Sequence, residues 1–108
     1  MFNITKRRNK TKATIGKTTF NIELVEEFDT NDILGITLYT SQMIKVLKTL
    51  SPESLKSTLI HELTHAFMYV NGLKDFETFN REQLCEFMAW HGEEIVNLAN
   101  EIMKRIGK

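Results

Sequence analysis

The hydrophobic period of this chain changes once, near residue 51, and that change limits the architectures open to it. Before that point apolar side chains recur every second residue; after it they recur every third and fourth. Thr18 to Glu26 alternates, with Phe20, Ile22 and Leu24 on one side, as a half-buried strand does. Asp29-Thr30-Asn31-Asp32 supplies turn residues. Residues 33–39 read as a second strand and 43–47 as a third, although Ile44, Val46 and Leu47 also suit a helix opening at 43–50. Ser51-Pro52-Glu53 then combines an N-cap, a proline at the first helical position and an acid in the first turn. Leu55, Leu59, Leu63, Ala66, Phe67 and Val70 follow at helical spacing, and Asn71-Gly72 provides the stop. Residues 73–79 read as a loop. Asn80 and Gln83 form a capping pair that opens a last helix, whose stripe is Leu84, Phe87, Met88, His91, Ile95, Leu98, Ile102 and Ile106. The expectation is an α+β fold: a small antiparallel sheet of about three strands packed on two main helices.

At 108 residues, 42% hydrophobic and 26% charged, the chain has the make-up of one globular domain, which excludes disordered and fibrous classes. Its longest apolar run, Ala66 to Val70, is far short of the roughly 20 residues that a membrane span needs. The first residues show no apolar core of a secretory signal, and a lone Cys85 suits a reducing compartment, so the cytoplasm is expected. The zero net charge conceals an asymmetry. Residues 1–20 carry six cations and no acid, whereas the other 88 carry 8 basic and 14 acidic side chains. Residues 1–17 therefore read as a basic, solvated arm or charged edge, and 18–108 as a single domain.

Chemistry concentrates in one string, His61-Glu62-Leu63-Thr64-His65. Two histidines four apart on a helix lie about 40° from each other, so both imidazoles leave the same face and reach one metal ion. Glu62, about 100° further round, flanks that ion rather than binding it, the place for a base that takes a proton from metal-bound water. Leu59, Leu63 and Phe67 form a separate core face, which leaves the histidines free of packing duty. A catalytic zinc site needs three protein ligands and one open position. His91, on the apolar stripe between Met88 and Ile95, reads as a packed histidine, and residue 71 is Asn. The carboxylates Glu82 and Glu86, four apart at the start of the last helix, are the remaining candidates.

His61-Glu62-Leu63-Thr64-His65 followed by Glu82-Gln83-Leu84-Cys85-Glu86-Phe87-Met88-Ala89 resembles the gluzincins, and among them the small ImmA/IrrE-type zincins of bacteria, phages and mobile elements. The resemblance covers roughly residues 33–95 and is specific in the two helical motifs. It implies a zincin-like fold with Zn2+ bound by His61, His65 and Glu82, and with Glu86 hydrogen-bonding a ligating histidine. Cys85 stands where alanine is common and Glu86 where aspartate or asparagine is common, and the longer Glu86 is the alternative ligand. The resemblance also implies that an upstream strand, Gly35 to Tyr39 or Met43 to Val46, borders the cleft and pairs with an extended protein or peptide substrate.

The function expected is hydrolysis of peptide bonds by zinc-activated water, with Glu62 as general base. Tyr69 and Tyr39 are candidates to stabilise the oxyanion, although buried packing accounts for each. Two other classes stay open. One is a non-catalytic zinc-stabilised binding module with its fourth position closed by Glu86 or another side chain. The other is a nucleic-acid-associated regulator using Lys6, Arg7, Arg8, Lys10 and Lys12.

Overall fold

A computed structural model describes residues 9–73 and 80–107. Within them lie four strands, β1 Lys10–Ile15, β2 Thr18–Val25, β3 Gly35–Leu38 and β4 Met43–Leu47, and two helices, α1 Pro52–Val70 and α2 Arg81–Arg105. The strands form one sheet in the order β1-β2-β4-β3. The fold is α+β as expected, with two differences in the sheet.

First, there are four strands. Residues 10–15, read from sequence as part of the basic arm, form β1. Ala13 and Ile15 are its only inward apolar residues, both buried, and lysines flank them, so the alternation is too short to announce itself. Gly16, at φ 61°, turns the chain straight back into β2, the glycine-first arrangement of a two-residue hairpin. Second, the sheet is mixed. β1 and β3 run antiparallel to their neighbours, but β2 and β4 are parallel. The chain leaves β2, crosses to the edge to lay down β3, and returns between the two as β4. This leaves β3 with one open edge.

The inward faces of the strands supply Ala13, Ile15, Phe20, Ile22, Leu24, Ile44 and Val46. Leu55, Leu59, Leu63 and Ala66 of α1 and Ile95, Ala99 and Ile102 of α2 complete the same core. Leu59 is fully buried in it. Leu59→Ala should lower the unfolding free energy by about 2–5 kcal/mol, measured by urea denaturation, through lost burial plus the cavity left behind.

Helix ends follow the sequence signals. The Ser51 side chain accepts from Ser54 N–H with proline next to it, and α1 ends with Gly72 at φ 77°, Gly72 N–H on the Tyr69 carbonyl and Leu73 N–H on the Met68 carbonyl. Asn80 and Gln83 form the expected reciprocal capping box. The stripe on α2 is only partly buried: Phe87, Ile95 and Ile102 are inside, but Leu84 is 41% and Met88 46% exposed. Phe67, near the end of α1, meets His91 with ring centroids 5.7 Å apart. The turns of α2 before that contact run past the end of α1, and of residues 81–90 only Phe87 is buried. No helix of the described residues is long and apolar enough to cross a membrane.

Candidate active site

The site grows from α1. Its core face points to the sheet through Leu55, Leu59, Leu63 and Ala66, which turns positions about 115–155° round the helix away from the core. Those outward positions hold His61 and His65. Their rings stand edge to face with centroids 4.9 Å apart, and the His61 side chain is 66% exposed. The two imidazoles thus share one side of α1, with His61 exposed and His65 half-buried.

Glu62, between them in sequence, goes elsewhere. It turns toward the sheet edge and is only 6% exposed, the one buried charged side chain among the described residues. Burying a carboxylate is costly unless it is hydrogen-bonded, and β3 meets that need. The Thr37 hydroxyl donates to Glu62 Oε1 at 2.7 Å and lies 3.1 Å from the Glu62 main-chain carbonyl. Oε2, the other oxygen, is 4.0 Å from His61 Nε2. Gly35, two residues before Thr37, faces the same side chain. A Cβ there would stand 3.1 Å from Glu62 Cγ and 2.8 Å from Thr58 Cγ2. Of the two segments considered for the cleft border, Gly35 to Tyr39 contains the edge strand; β4 is interior. Between the start of β3 and the histidine face of α1 runs an open groove of about 420 Å³, lined by Asp32, Leu34, Gly35, Thr58, His61 and Glu62 among others.

Tyr39 and Tyr69 close the other end of the site, one turn beyond His65. They stack on each other at 4.8 Å between centroids, but both remain partly exposed rather than buried. Their packing is mutual and at the surface. His91 is the packed histidine expected, wedged between Phe67 and Phe87. Its Nδ1 is shut off from solvent with no hydrogen-bond partner among the described residues, 3.7 Å from Glu94 Oε1.

Glu82 and Glu86 are both exposed on α2, on the side roughly opposite Phe87, Ile95 and Ile102. Glu86 lines a groove with Leu73, Gln83, Phe87, Trp90 and His91. That groove sets the opening turns of α2 beside Leu73, three residues past the end of α1 and eight beyond His65. Neither glutamate is brought to the histidine pair, and no three His, Cys, Asp or Glu side chains among the described residues converge in a way that would hold a metal ion. The two imidazoles stand side by side without a carboxylate from α2 to complete a three-ligand set among the described residues. Of the basic arm, Lys10 and Lys12 lie on the open face of the sheet around a groove shared with Asn21, Glu23 and Met43, and Lys6, Arg7 and Arg8 lie outside the described residues.

Sequence reasoning missed Thr37 and Gly35. The signal was present in their spacing of two, which puts both on one face of a strand, but nothing local says that this face meets Glu62, 25 residues later. Set against known protein families, curated proteins and solved structures, the chain matches none of them.

Proposed function

We propose that this protein is a zinc-dependent peptidase acting on protein or peptide substrates, with His61 and His65 as metal ligands, Glu82 as the third and Glu86 behind a ligating histidine or in Glu82's place. The observation that carries the reading is the division of labour on α1. Two imidazoles share an accessible face, and the glutamate between them is withdrawn and fixed beside them. A helix that used these histidines only for solvation would have no reason to bury Glu62 and bond it to a neighbouring strand.

Held by His61, His65 and Glu82, zinc would supply a bound water acidified to a pKa of about 7 and a Lewis acid for the scissile carbonyl. The residues of the chain supply the rest. Glu62 accepts the proton of the attacking water at Oε2, the oxygen that Thr37 leaves unbonded, and returns it to the leaving amine. β3 offers its open edge to an extended peptide, whose main chain extends the sheet by one strand and lies along the groove beside His61. The single Cys85, exposed on α2, is consistent with work in the reducing cytoplasm.

Metal analysis tests the reading. Protein purified in zinc-containing buffer is expected to hold about one zinc per chain, and His61→Ala to lose it. A wild-type chain that stays free of metal removes the proposal. Zinc bound with no turnover of any peptide favours the binding-module class instead.

A further inference from the structure

We propose that Thr37 is the positioning residue of the base, and that Gly35 is glycine to make room for that base; this rests on the peptidase reading of Glu62. Three observations converge on it. In the register of β3 with β4, Gly35 pairs with Val46 and Thr37 with Ile44, both fully buried, so the two residues look inward at α1. Glu62 lies against both. The Thr37 hydroxyl has one proton to give. Its nearer acceptor is Glu62 Oε1 at 2.7 Å, against 3.1 Å to the main-chain carbonyl. One carboxylate oxygen is thereby held, and the other is turned to the side on which His61 lies.

Gly35 supplies the space. The Cβ of any other residue would press on Glu62 Cγ and, more severely, on Thr58 Cγ2. Thr58 cannot swing that methyl away without loss, because its hydroxyl is bonded at 2.8 Å to the Ser54 carbonyl and a β-branched side chain has few rotamers in a helix. The base is thus held from outside its own helix. It is fastened by the same strand whose free edge receives the substrate, so a peptide added to β3 is registered directly against the carboxylate that serves it.

Two measurements test this, and the first does not depend on zinc or turnover. A double-mutant cycle on the metal-free chain, with Thr37→Val, Glu62→Met and the pair, reads unfolding in urea. A charge-assisted hydrogen bond in a buried place predicts coupling of about tenfold or more in the unfolding constant, and Thr37→Ser should retain most of the wild-type value. Strictly additive effects overturn the proposal. The second uses the zinc-loaded chain and quenched peptides derived from casein. Thr37→Val and Gly35→Ala should keep their zinc and their KM while kcat falls about 10- to 100-fold, with Thr37→Ser restoring it. Full kcat in Thr37→Val overturns the positioning role. Coupling in the cycle together with a wild-type chain that holds zinc and cleaves nothing overturns the peptidase reading alone, since the fastening of Glu62 would then stand without a reaction to serve.

Discussion

Glu62→Gln is expected to hold zinc as the wild type does and to hydrolyse peptides about 10²- to 10⁴-fold more slowly. The substitution is close to isosteric. Its amide oxygen can still accept from Thr37, so the side chain keeps its place against β3. What disappears is the ability to take a proton at the second position, where an amide nitrogen now stands. Metal content and turnover must be measured on the same preparation, because the prediction is the separation of the two. Equal turnover in the variant rules out Glu62 as the base. Loss of zinc along with activity would mean that Glu62 is needed to build the site, and the division of roles between it and the histidines would have to be redrawn.

The second large effect concerns the carboxylates of α2. Loss of a metal ligand should weaken zinc binding well beyond the about 10- to 100-fold that removal of an outer partner costs. Glu82→Ala is therefore expected to have the larger effect and Glu86→Ala the smaller, measured by competition with a chelator. The reverse order would make Glu86 the ligand, and no change in either would place the third donor elsewhere. The structure adds a condition. The opening turns of α2 lie beside Leu73, past the end of α1, with Leu84 and Met88 uncovered. For either glutamate to meet His61 and His65, this part of α2 has to shift toward the middle of α1. Zinc should then slow amide exchange in residues 81–90 relative to the metal-free chain. Unaltered exchange on a chain that has bound zinc would argue that α2 takes no part in holding it.

The helix boundaries were readable because their causes are local. Ser51 and Pro52, Asn71 and Gly72, and Asn80 with Gln83 each act within a few residues of the end they define. The histidine pair was readable for the same reason, since one helical turn sets its geometry. β4 matched the expected segment at both ends, and β3 proved two residues shorter than expected at its start and one at its end. Other features depend on partners distant in sequence. β1 has just two inward apolar residues, and what makes it a strand is the partner it finds in β2. The parallel pairing of β2 with β4 follows from β3 taking the edge, which no periodicity encodes. Periodicity did mark Leu84 and Met88 as apolar positions on α2, but it cannot say that α2 outruns the helix beside it. The burial of Glu62 was hidden in the same way: an acid on a helix reads as solvated until a strand supplies its hydrogen bond.

The two borders of the sheet differ in how they meet the outside. β1 carries Lys10 and Lys12, and Arg105 from α2 donates to the Lys12 carbonyl at 2.7 Å, so charge and a side chain guard that border. Gly35-Ile36-Thr37-Leu38 has no ionic group to turn away another β-strand. If that border takes a peptide substrate, as proposed, it would equally take a second copy of the chain, and two molecules joined there would each stop the other's groove. Crowding would then act as a brake on this protein and dilution as its release, with no separate inhibitor required.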